Sequence, residues 1–390
     1  MSIYIETGFD SLTKYGEELC GDKAEIIRSS DSVIMVLADG LGSGVKANIL
    51  ATLTSKIIGT MLHEGAEIEE CVDTIARTLP VCSERGIAYS TFTILKIHKT
   101  GEAYLAEYDN PETILIRNGK AMNLKKTVRT IKDKKINECQ FTVEPEDMLI
   151  LFSDGVVHAG VGKLLNLGWE YENVLEYVEN AMRPNLTARM LSRQLVAACD
   201  SLYLQKPGDD TTVVTAKVLK PAEVRIMVGP PVDTANDGMV VHKLLESTGK
   251  KIVCGGTTSQ IVSRETGKDL KVNIEYHNAA IPPTGSIDGI DLVTEGVLTL
   301  GKSLDIIKQY VSLSAKNGNN LNLSKKDGAT RIASMLLEEC TKVHFLVGRA
   351  INPAHQNPDM PLSLSIKLRL VEDISKCLRS LGKEVEVEYY

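Results

Sequence analysis

The chain has 390 residues, 43% apolar and 24% charged, with 30 glycines and 13 prolines. This is an ordinary globular composition, and it excludes a disordered, collagenous or coiled-coil protein. With 44 Lys and Arg against 51 Asp and Glu the net charge is −7, and aromatics are only 5%; nucleic acid and anionic membrane are thereby excluded as principal partners. No run approaches the ~20 apolar residues needed to cross a bilayer, and the N-terminus has no apolar signal core. The eight cysteines are dispersed without a CxxC pair, so reduced thiols in a cytoplasmic protein are expected rather than a zinc site or a disulfide scaffold.

At this length two or three domains are expected. Residues 1–219 and 222–390 read as two units, joined at Val218-Leu219-Lys220-Pro221-Ala222, where a β-branched strand ends at a proline. In the first unit, the apolar run Val33 to Leu37 predicts a buried strand. The spacing-four series Val45, Ile49, Leu53, Ile57 and Met61 predicts a helix with one apolar face. A second helix carries Ile68, Val72, Ile75 and Leu79 and stops at Pro80. Strands follow at Ser90–Ile97, Thr113–Ile116, Met148–Phe152 and Thr211–Val218, with turns at Lys99-Thr100-Gly101 and Asn118-Gly119-Lys120. Helices are expected over Val174–Met182 and Ala188–Tyr203. Strands in succession with helices inserted in pairs suggest sheet packed on sheet with helices outside, an α+β sandwich.

The second unit alternates. Strands are expected at Val224–Val228, Lys251–Cys254, Val343–Val347 and Val385–Tyr389, and helices at Met239–Ser247, Gly328–Cys340 and Leu362–Leu381. The segments 242–254 and 375–387 share a helix, a Gly C-cap, a Lys and a strand, which is common αβ grammar. This smaller α/β unit is read as an accessory domain that regulates, targets or dimerises, the last making the protein a homodimer. Its Gly255-Gly256-Thr257-Thr258-Ser259 loop has amides able to cradle an anion, but lacks the spacing of a dinucleotide or P-loop fingerprint. A nucleotide- or small-molecule-binding enzyme fused to the first unit is a weaker reading. His277, His344 and His355 show no ligand spacing. The stripe Leu362, Ile366, Leu370, Ile374 and Leu378 reads as core.

Four acidic turns carry the chemistry of the first unit. Asp22 lies in Gly21-Asp22, Asp39 in Ala38-Asp39-Gly40, Asp154 in Ser153-Asp154-Gly155, and Asp209 in Gly208-Asp209-Asp210. Each Asp-Gly alone is ordinary turn chemistry. Carboxylates gathered at strand ends repel one another unless a divalent cation sits among them, and oxygen-only donors suit Mg²⁺ or Mn²⁺.

In this order the segments GD (21–22), ADGLGSGVKA (38–47), SDGV (153–156) and GDDTTVV (208–214) resemble those of metal-dependent Ser/Thr protein phosphatases. The resemblance is to the PP2C (PPM) superfamily and most closely to its bacterial SpoIIE-like branch. It covers roughly residues 5–219, and Asp109-Asn110-Pro111 is similar to the family's Asn-Pro loop. The resemblance implies a central β-sandwich flanked by helices, two Mn²⁺ or Mg²⁺ ions and a phosphoprotein substrate. It implies that Asp39 bridges both ions and the Gly40 carbonyl binds the second. Asp154 and Asp209 would hold the first, while Asp22 would act through waters on the second and Asp210 would support. Water between the ions would attack phosphorus directly, without a phosphoenzyme. Leu41 stands where eukaryotic relatives often carry His, leaving His158 as the nearest general-acid candidate. No N-terminal Arg is clearly placed to grip phosphate. The helix pair Lys46–Leu62 and Ile68–Leu79 corresponds to a pair that switches some bacterial relatives, or is plain scaffold. The alternative function is a non-catalytic metal- or ligand-responsive signalling module acting through partner binding.

Overall fold

The structure, a computed structural model, describes residues 2–78, 90–131, 134–273, 281–312, 322–350 and 362–390. One compact unit runs to Lys220 and a second begins at Pro221. In the first, the elements in chain order are β1 (Tyr4–Leu12), β2 (Asp22–Arg28), β3 (Ser32–Gly40), α1 (Gly44–His63), α2 (Ile68–Thr78), β4 (Ser90–His98), β5 (Glu102–Tyr108), β6 (Ile114–Arg117) and β7 (Lys120–Met122). They continue as β8 (Thr127–Ile131), β9 (Lys134–Thr142), β10 (Met148–Phe152), α3 (Asp154–Val157), α4 (Tyr171–Ala181), α5 (Ala188–Leu202) and β11 (Thr211–Leu219). Two antiparallel sheets form, with strand orders β1-β11-β10-β6-β7 and β2-β3-β4-β5-β9-β8.

Alternation along the strands explains the layering. On β3, Val33, Met35 and Leu37 join Leu95 and Leu105 of their own sheet and Leu149, Leu151 and Val214 of the other in one core. The intervening Ile34 and Val36 pack instead against Leu50, Ile58, Val72 and Ile75 of α1 and α2. On β10 the outward residues Met148, Ile150 and Phe152 meet Val174 and Val178 of α4 and Leu191 and Leu195 of α5. A buried Leu or Ile contributes roughly 1.5–3 kcal/mol, so strands apolar on both faces are stable only between two covering layers. The result is the helix–sheet–sheet–helix sandwich.

The predicted apolar face of α1 is not the buried one. Ala47, Leu50, Ala51, Thr54, Ile58 and Leu62 are buried, whereas Val45, Ile49 and Leu53 are exposed. A strict spacing of four overshoots one turn by about 40° per step, so the series winds from the solvent side toward the sheet. Ile57 and Met61, at its far end, do pack on the core. Leu79 and Pro80, the predicted end of α2, lie outside the described residues.

The second unit comprises β12 (Glu223–Val228), α6 (Asp237–Leu245), β13 (Lys250–Cys254), α7 (Gly256–Thr266), β14 (Lys271–Val272), β15 (Gly285–Ile287), β16 (Ile290–Thr294), α8 (Val297–Ser312), α9 (Gly328–Leu337), β17 (Lys342–Val347), α10 (Leu362–Ser380) and β18 (Glu384–Tyr389). Its sheet has the order β14-β15-β16-β13-β12-β17-β18, parallel from β16 to β18. Ile226, Ile252 and Phe345 face α8, α9 and α10, while Met227, Val253 and Leu346 face α6 and α7. On α10, Ile374 and Leu378 are buried but Ile366 is exposed, the same winding of a spacing-four stripe; the side chain of Leu362 lies outside the described ones. The two similar segments end their helices differently. Gly382 is left-handed (φ 84), whereas Gly249 is not a left-handed cap, and a Cβ on it would fall 2.1 Å from the Glu223 carbonyl oxygen. His344 is buried and pairs with Glu388 at 2.8 Å; His277 and His355 lie outside the described residues.

Candidate metal centre

Strand pairing delivers the four acidic turns to one place. Asp22 opens β2, Asp39 stands one residue from the end of β3, and antiparallel pairing sets them directly opposite. Asp154 begins α3 two residues after β10, and Asp209 lies in the turn entering β11, the neighbour of β10. A polar link joins the two sheets here. Ser153 Oγ donates to Asp22 Oδ2 at 2.7 Å and accepts from the Thr212 amide at 2.9 Å.

Two glycines set the packing of these turns. A Cβ on Gly40 would fall 2.0 Å from the Ala47 carbonyl oxygen of α1, and one on Gly155 would fall 2.0 Å from the Asp210 carbonyl oxygen. The Tyr203 hydroxyl donates to the Gly155 carbonyl at 2.8 Å and anchors the start of α3.

The electrostatics are those of crowded like charges. Burial, then the neighbouring carboxylates of Asp22, Asp154 and Asp209, push Asp39 up to about 9. Burial raises Asp22 to about 7 against the lowering hydrogen bonds from Ser153 and Thr212, with Asp210 and Asp154 adding to the rise. Asp209 is raised as well, by burial and by Asp154, while Lys14 opposes. Asp39 therefore interacts with each of the other three predicted aspartates. Among the described residues, however, no three His, Cys, Asp or Glu side chains form a ready-made ligand set.

The chemistry of the donors nevertheless fits a hard divalent cation. Asp22 Oδ1 and Asp210 Oδ2 are buried carboxylate oxygens without a hydrogen-bond partner, which is costly unless a positive charge meets them. All the donors are oxygens, the set preferred by Mg²⁺ and Mn²⁺. Asp210 is more deeply placed than the motif order suggests, accepting from the Lys14 amide at 3.0 Å.

Three neighbours complete the site. Lys14, in the β1–β2 loop, brings its ammonium 3.7 Å from Asp209; no sequence motif marks it, because its position depends on the pairing of β1 with β11. His158 lies 3.8 Å from Asp154. Asn110 accepts from Thr91 and donates to Thr93, and Thr91 is the β4 partner of Asp39, so the Asn-Pro loop is fastened beside the carboxylates. Between this loop and α3 a groove of about 590 Å³ is lined by Pro111, Glu112, Val157, His158, Leu167 and Tyr171, among others.

Residues 29–219 match the family model for stage II sporulation protein E (SpoIIE). Among solved structures, the PP2C phosphatase domain of SpoIIE from Bacillus subtilis, solved with a fragment of its regulatory domain, is 19% identical (TM-score 0.47); the match covers 56% of this chain and 63% of that one. The RsbU and RsbW domains of a Mycobacterium tuberculosis protein are 14% identical (TM-score 0.49), covering 69% of this chain and 72% of that one. RsbX in complex with magnesium is 19% identical (TM-score 0.40), covering 55% and 98%. No curated protein matches the chain. No helix among the described residues is long and apolar enough to cross a membrane. Residues 29–219 thus carry a SpoIIE-like domain, consistent with the PP2C/SpoIIE-like family that the ordered acidic motifs of the first unit resemble.

Proposed function

We propose that this protein is a metal-dependent cytoplasmic phosphatase that hydrolyses phosphoserine and phosphothreonine in proteins by direct attack of water. The observation that carries this reading is the placement of Asp22, Asp154 and Asp209 within electrostatic range of Asp39, with buried carboxylate oxygens of Asp22 and Asp210 left unpartnered. In this reading Asp39 would serve both cations, Asp154 and Asp209 would hold one of them, and the Gly40 carbonyl, with Asp22 through waters, would serve the other. When bound, two Mn²⁺ or Mg²⁺ ions supply Lewis acidity for phosphoryl transfer to water.

The remaining steps belong to the chain. The groove beside His158 admits the peptide flanking the phosphoresidue, and Lys14, beside Asp209, adds a positive charge to the carboxylate cluster. His158, held near Asp154, supplies a proton to the departing serine alkoxide. The second unit acts as an accessory domain, regulatory or dimerising. The test is hydrolysis of phosphoserine peptides by the full chain with Mn²⁺ and after EDTA. Metal-dependent release of phosphate supports the reading, and cation binding without turnover on any phosphopeptide overturns it in favour of a signalling module.

A further inference from the structure

The sheet of the second unit reverses its winding at β12. From β12 the chain passes through α6 to β13 on one side, while β17 and β18 are added on the other. In open parallel sheets ligands bind beyond the carboxyl ends of the strands at such a reversal. All four central strands reach that edge at glycine: Gly229 after β12, Gly255 and Gly256 after β13, Gly296 shortly after β16, and Gly348 after β17. Gly229 (φ 76) and Gly255 (φ 116) are left-handed, and a Cβ on Gly348 would fall 2.0 Å from the Pro230 carbonyl oxygen. The edge therefore presents backbone rather than side chains.

Helix α7 starts at this edge with Gly255 as its N-cap and no side-chain cap. Its first helical bond runs from the Ser259 amide to the Gly255 carbonyl, so the amides of the first turn and the positive end of the helix dipole face outward. Two buried polar groups lie along the same edge, one beside Gly255 and one beside Gly229. Thr258 is 1% exposed, its Oγ1 has no hydrogen-bond partner, and it lies 3.0 Å from where a Gly255 Cβ would be. Lys367 of α10, 8% exposed, donates to the Gly348 carbonyl, with its ammonium 2.5 Å from the position of a Gly229 Cβ. The Gly229 amide in turn bonds to the Cys254 carbonyl, beside Gly255. An ammonium has three donors, and this one has a single acceptor among the described residues. A buried cation so placed calls for an anion. Glu295, which follows β16, keeps a buried Oε2 without a partner, an acceptor suited to a ligand hydroxyl.

We propose that this edge is a binding site for a phosphorylated sugar, free or within a nucleotide. The phosphate rests on the first-turn amides of α7 and the Thr258 hydroxyl, Lys367 supplies counter-charge, and Glu295 accepts from a sugar hydroxyl. The site is independent of the phosphatase reading.

Hydrogen exchange of the full chain in EDTA, with millimolar AMP, a ribose phosphate or inorganic phosphate, tests it. Slowed exchange at residues 255–262 and 347–350, with the first unit unchanged, is the expected result. Lys367→Met weakens binding by about tenfold or more. Thr258→Val, which keeps the side-chain shape, gives the same direction should Lys367→Met fail to fold. AMP protecting more strongly than ribose phosphate identifies the nucleotide form, and equal protection identifies the sugar phosphate. Absence of protection by every probe, or unchanged affinity in folded variants, overturns the proposal.

Discussion

Asp22 and Asp39 stand directly opposite one another as register partners across β2 and β3. Like charges in that position destabilise a sheet, yet the arrangement is fastened from outside the pair. Ser153 holds Asp22 from the other sheet, and Ser90 Oγ donates to the Asp39 carbonyl at 2.8 Å. The fold thus fixes two carboxyls where burial and mutual repulsion favour keeping a proton unless a cation is present.

Cation removal should make stability fall with rising pH. Asp22 is raised to about 7 and Asp39 to about 9 from an ordinary value of 3.8. Between that ordinary value and the raised ones the folded state holds protons that the unfolded chain has released, and stability then decreases with pH. The contribution is complete below the ordinary value and is lost as pH passes through the raised ones. Melting in EDTA from about pH 5 to about pH 9 checks this, and a flat or rising profile contradicts it. Mn²⁺ should raise the melting temperature most at the alkaline end.

Asp39→Asn separates charge from fold. It removes the most strongly raised carboxylate while keeping its volume, so the melting temperature in EDTA should hold or rise. Phosphopeptide hydrolysis should fall by about 100-fold or more. Asp154→Asn should reduce the rate comparably, read from the same assay with Mn²⁺ in excess.

His158 is tested by the leaving group. His158→Gln should lower turnover of a phosphoserine peptide by about 100-fold, because a serine alkoxide needs a proton as it departs. Hydrolysis of p-nitrophenyl phosphate, whose leaving group departs without one, should change little. Equal losses on both substrates would assign His158 to holding Asp154 rather than to proton transfer.

Gly40→Ala and Gly155→Ala should each destabilise the first unit by about 1–3 kcal/mol or more, since backbone oxygens occupy the place of the added carbon. Urea denaturation measures the change. Neither substitution alters a charge, so a loss of stability together with a loss of activity would tie the turn geometry to the site.

Much of this was legible in the sequence because the strands that carry the site are strongly apolar. Val33–Leu37 and Met148–Phe152 coincide with, or lie within, observed strands, and the acidic turns follow from their ends. The β1 strand was not legible, since YIETGFDSL mixes polar and apolar residues without a clean period and gains its place by pairing with β11. The same holds for β2, where Asp22 to Arg28 is apolar only at Ala24, Ile26 and Ile27. Lys14 was missed for a related reason: it reaches Asp209 across 195 residues of sequence, a proximity that no local spacing encodes.

The orientation of α1 sets two adjacent residues in opposite environments. Ile49 and Leu50 are adjacent in sequence, but Ile49 is 52% exposed while Leu50 is 4% exposed and packs on the sheet. Leu50→Ala should cost about 2–5 kcal/mol, because it removes buried methyl groups and leaves a cavity. Ile49→Ala should stay within about 0.5 kcal/mol, as is usual for a surface position. Urea denaturation of the two variants compares them directly. A larger cost at Ile49 would mean that this surface of α1 is covered in solution by another part of the chain or by a second copy, and the concentration dependence of the transition distinguishes those two cases.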